Sequence, residues 1–213
     1  MSLAAQGKQF QEMSRPQLHL PEPLTPPLKY NAVQPGLFRG AYPRPINYRF
    51  LASLGLRTIV SLTPEPISET TDAKLFAFCE EHGVQRIHIE CSSGGSKKGK
   101  KRAIAIDYAA ICKAIEIVID RDNEPVYVHC INGGQITSLF VACLRKLSFW
   151  SSIAIFNEFI NYSVTINHND RVFIENFEAS IRLPKNRVDW VWNGLSQGVI
   201  DNHPTLKFYD YDE

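Results

Sequence analysis

Val126-Tyr127-Val128-His129-Cys130-Ile131-Asn132-Gly133-Gly134-Gln135-Ile136-Thr137-Ser138 is the stretch on which the reading of this chain turns. An apolar, β-branched run stops at a cysteine and crosses a short loop holding two glycines. It then enters a helical pattern, Leu139-Phe140-Val141-Ala142-Cys143-Leu144-Arg145-Lys146-Leu147. Strand, thiol, loop and helix N-terminus in that order make a cradle of backbone N–H groups around a nucleophilic sulfur.

Outward from this stretch, strand and helix patterns alternate. Gly36 to Gly40 reads as a short strand, closed by the turn Tyr42-Pro43-Arg44-Pro45. Asn47 caps a helix running through Leu54, and Gly55 ends it. Arg57 to Leu62 is a buried strand stopped by Pro64 and Pro66, and Ser68 to Glu81 is helical with Gly83 beyond. Gln85 to Cys91 is a strand, Ser92 to Arg102 a loop, and Ala103 to Asp120 a helix. Pro125 leads into the Cys130 strand. Two amphipathic helices follow, Ser148 to Tyr162 and Asn169 to Leu183, while Trp190 to Glu213 carries no clear pattern. The alternation predicts an α/β fold, one domain with a mainly parallel central sheet flanked by helices. Its expected bounds are 31–183, with an extension over 184–213. Residues 1–30, with Pro16, Pro21, Pro23, Pro26 and Pro27, read as an extended or disordered arm.

The chain's 213 residues suit one packed domain better than two. A net charge of +1 gives no overall field to draw the chain to nucleic acid or an anionic membrane. Cys79, Cys91, Cys112, Cys130 and Cys143 are odd in number and lack CxxC or histidine-partnered spacing. They predict a reducing compartment, cytosolic or nuclear, with no disulfide framework and no metal site. No apolar run reaches the roughly 18 residues of a membrane span, and no signal peptide is visible. No cofactor motif is present either.

The Cys130 loop resembles the His-Cys-x5-Arg-Thr/Ser signature of cysteine-dependent tyrosine and dual-specificity phosphatases. His129, Cys130, Gly133 and Thr137 match it; Ile136 stands where the signature has arginine. The Gly-Leu-Phe-Arg-Gly-Ala-Tyr-Pro and Leu-Gly-Leu-Arg-Thr-Ile-Val-Ser-Leu-Thr-Pro-Glu-Pro runs between Asn31 and Pro66 are similar to plant-and-fungal atypical dual-specificity phosphatases. So are Cys143 to Leu147, Phe149-Trp150 and Ile155 to Phe159. Within that group the chain is most similar to the fungal oxidant-induced cell-cycle-arrest proteins, a stress-response set. Related members hydrolyse phosphotyrosine or inositol pyrophosphates.

This resemblance implies roles for particular residues. Cys130 takes the nucleophile's place, attacking phosphorus as a thiolate to give a phosphocysteine. Ile131, Asn132, Gly133, Gly134, Gln135, Ile136 and Thr137 form the phosphate-binding loop. Ile136 removes a bidentate donor and a cation, a change that costs about 10²–10³ in rate for a preorganised donor and about 10³–10⁵ for an arginine in phosphoryl transfer. Gly133 and Gly134 allow N–H groups to point inward, so anion binding survives; the alternative is a tight turn that binds nothing. Asn132 and Gln135 offer neutral donors. Thr137 either hydrogen-bonds the sulfur or caps its own helix, and His129 orients the loop. Asp107 is the one carboxylate in the segment that supplies the general acid, but it reads better as a helix-surface aspartate. Lys97, Lys98, Lys100, Lys101 and Arg102 form a basic loop expected at the cradle's rim, either gathering a polyanion or simply solvated.

The expectation is a pseudophosphatase, holding a phosphorylated protein or an inositol polyphosphate with little turnover. Two rivals stay open: a weak phosphatase whose basic loop replaces the guanidinium, and a structural subunit docking sister phosphatase-like proteins.

Overall fold

The structure, a computed structural model, describes residues 23–92, 104–163 and 165–210. Its main sheet has the order β1-β2-β5-β3-β4. The strands are β1 (Asn31–Gln34), β2 (Leu37–Ala41), β3 (Thr58–Thr63), β4 (Gln85–Glu90) and β5 (Val126–Cys130). β1 runs antiparallel to β2, and every other pairing is parallel. The fold is therefore the α/β architecture expected from the sequence.

β3 and β5 are buried at every position, as central strands covered on both faces must be. Side chains alternate between two cores. Ile59 and Tyr127 face one cluster beneath α1 (Tyr48–Ser53) and α2 (Ala73–Glu81). Val60, Leu62, Val126, Val128 and Cys130 face the larger cluster beneath α3 (Tyr108–Val118) and α4 (Gln135–Leu147). Outside α4 lie α5 (Ser152–Ser163) and α6 (His168–Glu175). A half-buried two-pronged ion pair locks α5 on: Arg145 Nε and Nη2 donate to Glu158 Oε2 and Oε1 at 2.8 and 3.0 Å.

Caps set the helix starts, and the helices are shorter than their apolar patterns. Asp72 accepts from the Leu75 N–H at 3.0 Å, so α2 begins at Ala73 instead of Ser68. Asp107 does the same for Ala110 at 2.8 Å, so α3 begins at Tyr108 instead of Ala103.

Two sequence expectations need correction. The stretch Asn169 to Leu183 is not one helix: α6 ends at Glu175 and β6 (Ala179–Leu183) follows, pairing in parallel with β7 (Leu206–Asp210). Ile181 and Leu183 are buried while Ser180 and Arg182 are exposed, a period of two that overrides helix propensity. The stretch 184–210 thus returns to the body, and Trp192 Nε1 donates to the Leu147 carbonyl at 2.9 Å. Residues 1–22 of the expected arm lie outside the described residues. Its last residues do not extend away: Pro27 is buried, and Asn47 Nδ2 donates to the Thr25 carbonyl at 3.1 Å. Among the described residues no helix is long and apolar enough to cross a membrane.

Candidate active site

β5 enters the sheet between β2 and β3, so the direction in which strands are added reverses there. In open α/β sheets ligands bind at such switch points, outside the carboxyl ends of the strands. Cys130 is the last residue of β5 and is 2% exposed. The loop behind it runs into α4, whose N-cap is Gly134.

Gly133 brings the loop against β2. Its φ is 63°, and a Cβ there would lie 2.6 Å from both Ala41 N and the Gly40 carbonyl carbon. Only glycine combines that conformation with that approach. The Gly133 carbonyl accepts from Arg39 Nη2 at 3.1 Å, and the same nitrogen donates to Ser138 Oγ at 2.8 Å. Arg39 is buried, with its guanidinium carbon 3.8 Å from the centre of the Tyr162 ring. Burial pulls its pKa down to about 10, opposed by Tyr162, Glu158 and Cys130. A cation therefore stands against the loop that follows Cys130.

His129 is buried and held at both ring nitrogens. Nδ1 lies 3.4 Å from the Cys130 carbonyl and Nε2 lies 2.9 Å from Ser61 Oγ. A carbonyl only accepts, so Nδ1 carries the proton and the Ser61 hydroxyl donates to Nε2. Burial lowers its pKa to about 4, which keeps the ring neutral at pH 7. The ring thus ties the end of β5 to Ser61 of β3.

Other loop residues sit differently from expectation. Asn132 presents an acceptor: Oδ1 takes the Gly134 N–H at 2.9 Å and lies 3.7 Å from Cys130 Sγ. An oxyanion using that N–H would displace it. Gln135 is buried and donates through Nε2 to Asp170 Oδ1, tying α4 to α6 instead of offering a donor to the cradle. Asp170 is itself buried and closes a reciprocal cap with Asn167. Ile136 packs on the larger core cluster. Thr137 is buried, but among the described residues its hydroxyl has no hydrogen-bond partner, the sulfur included. Ser138, the next residue, carries the polar contact through Arg39. Ile131 is 56% exposed at the rim.

Asp107 caps α3 and is exposed. Burial pushes the nearby Cys91 thiol up to about 12, with Asp107 a lesser contribution in the same direction. Lys97, Lys98, Lys100, Lys101 and Arg102 lie outside the described residues. Sequence reading missed Arg39, Asp170 and Lys29, whose Nζ lies 3.1 Å from the point where a Cβ on Gly134 would sit. Arg39 did carry a signal, a charge within an otherwise apolar and glycine-bounded strand. The other two become visible only once the chain is folded.

A thiol at a strand end, a glycine pressed on the neighbouring strand and a helix starting at the loop are the arrangement of the cysteine-phosphatase class. Residues 24–196 match the tyrosine phosphatase family, and the chain belongs to that family. It is 44% identical over 179 residues to "Putative tyrosine-protein phosphatase OCA6" of Saccharomyces cerevisiae, covering 79% of each chain. It is 34% identical over 158 residues to inositol diphosphatase DSP2 of Oryza sativa subsp. japonica, covering 74% of this chain and 73% of that one. Among solved structures it resembles the core catalytic domain of the PP-IP phosphatase SIW14 from Saccharomyces cerevisiae, bound to citrate. That similarity has a TM-score of 0.64 at 27% identity, covering 73% of this chain and 89% of that one.

Proposed function

We propose that this family member is a pseudophosphatase, a cradle that binds phosphorylated ligands and turns them over slowly. The observation that carries this reading is Ile136, a half-buried side chain that packs against the core from the position where the family signature has arginine. An alkyl side chain offers no donor to a phosphoryl oxygen and no charge to a thiolate. Turnover would require Cys130 Sγ to form a bond to phosphorus while the leaving oxygen departs with a proton. Charge then spreads over the equatorial oxygens, and a fixed guanidinium stabilises it most. Binding asks less: inward N–H groups and a helix N-terminus hold an anion without it. Inositol polyphosphates and pyrophosphates are the ligand class we favour. Relatives named inositol diphosphatase and PP-IP phosphatase support that choice, as does the Lys97–Arg102 basic run in the sequence.

The test is phosphate release from a tyrosine-phosphorylated peptide and from an inositol pyrophosphate, beside the Cys130→Ser variant, with calorimetry on the same ligands. Binding without release above the Cys130→Ser background fits the proposal. Release well above that background makes the protein an active phosphatase. Absence of both binding and release leaves the structural-subunit reading.

A further inference from the structure

If the cradle binds oxyanions as just proposed, a cation beside it would add to what the backbone donors supply, and one is held there by the N-terminal segment. Residues 25–30 lie against β2 on three anchors. The Thr25 carbonyl accepts from Asn47 Nδ2, and the Leu28 carbonyl accepts from the Ala41 N–H at 2.8 Å. Tyr30 packs edge-on against Phe50, with ring centres 4.7 Å apart, and stacks on Phe38 at 5.9 Å. Ala41 is also the residue against which Gly133 closes, so the segment and the loop share one end of β2.

Between the second and third anchors, Lys29 has a φ of 57°, in the left-handed region that long side chains rarely enter. Backbone strain of this kind persists only where flanking contacts impose it, and it concentrates at functional sites. Its effect here is to aim the side chain at the loop. Lys29 Nζ lies 3.1 Å, and Asn132 Oδ1 2.9 Å, from the point where a Cβ on Gly134 would sit. That places an ammonium beside the N-cap of α4 and beside the carboxamide that faces Cys130 Sγ. Lys29 is exposed, so a ligand arriving from solvent meets it. We propose that Lys29 is the oxyanion-binding cation of this cradle, pairing with phosphoryl oxygens where Ile136 offers no donor.

Titration calorimetry of the full chain with tungstate and with inorganic phosphate tests this. Lys29→Met should weaken binding at least tenfold, about 1.4 kcal/mol, and Lys29→Arg should keep it within a few-fold. Lys29→Gly should bind as weakly as Lys29→Met while melting no lower than the parent, because glycine accepts the left-handed backbone freely. Adding Ile136→Arg to Lys29→Met should restore affinity, since both cations would serve one anion. If Lys29→Met binds as tightly as the parent, this proposal falls and the cradle reading stands. If Ile136→Arg restores nothing in a folded double variant, Lys29 serves some other anion and the proposal falls. If the parent binds neither anion, both readings fall.

Discussion

Replacing Gly133 with alanine probes the contact on which the whole cradle depends. Two costs can be read from the structure. The first is conformational: at a φ of 63° an L-residue costs about 1–2 kcal/mol relative to glycine. The second is steric. The new Cβ would sit 2.6 Å from Ala41 N and from the Gly40 carbonyl carbon, 0.8 Å inside the 3.4 Å at which ordinary contact begins. Those atoms belong to β2, which is paired on both sides and also donates from Ala41 N to the Leu28 carbonyl. The strand cannot yield, so the loop must move. A shift of that size breaks the 3.1 Å bond from Arg39 to the Gly133 carbonyl, worth about 1.5–3 kcal/mol for a charged donor. The expected loss is about 2.5–5 kcal/mol, or a fall in melting temperature of about 5–20 °C for a domain of this size. Gly55→Ala is the control: its φ is 59° and nothing lies within 4 Å, so only the conformational cost of about 1–2 kcal/mol applies. Urea unfolding of both variants, with unchanged slopes, measures the difference. Equal losses for the two would refute the claim that the loop is wedged against β2.

Ile136→Arg should raise phosphate release by about 10² or more if the remaining geometry serves turnover; no gain in a folded variant shifts the limitation to the proton donor. Asp107→Ala should cost about 1 kcal/mol through loss of the α3 cap, whereas Asp107→Asn keeps the cap. We expect Asp107→Asn to leave release by the Ile136→Arg protein unchanged, and a large fall would make Asp107 the acid after all. Burial lowers the pKa of His129 from 6.5 to about 4, so between those values the unfolded chain binds the extra proton. Stability from this group is complete above pH 6.5 and declines as pH falls towards 4, by about 3 kcal/mol in all. Unfolding measured across that window should slope less in His129→Gln, and identical slopes would refute the burial account.

The sheet could be read from the sequence because its central strands obey a one-dimensional rule. Thr58 to Thr63 and Val126 to Cys130 are buried on both faces and are rich in β-branched and apolar residues, with Ser61 and His129 pairing to each other. Helix extents were overread because apolar periodicity does not reveal where a cap stops a helix, as Asp72 and Asp107 do here. Ala179 to Leu183 was misread for a different reason: five residues fit both periods, and the partner that selects the strand, Leu206 to Asp210, is remote in sequence. The loop was legible in its residue order and not in its side-chain directions. Whether Gln135 faces the cradle or Asp170 depends on α6 packing beside α4, which no local pattern encodes.

The two cations around the loop suggest why binding and turnover part company under the proposed reading. Arg39 is buried and spends Nη2 on the Gly133 carbonyl and Ser138. It does not exchange with solvent ligands. Lys29 is exposed, and its ammonium is a point charge on a flexible stem without the fork that grips two equatorial oxygens. An ammonium of that kind attracts the ground-state anion and the spreading transition-state charge about equally. Interactions shared equally by both states tighten binding and leave the chemical step unaccelerated. One signature arginine would do the work of both; divided between a fixed support and a mobile hand, the charge holds a phosphate without driving its transfer. Lys29 variants should accordingly change the affinity for phosphate while leaving any residual release at saturation unaltered, and a matching fall in that saturated rate would assign Lys29 to the transition state.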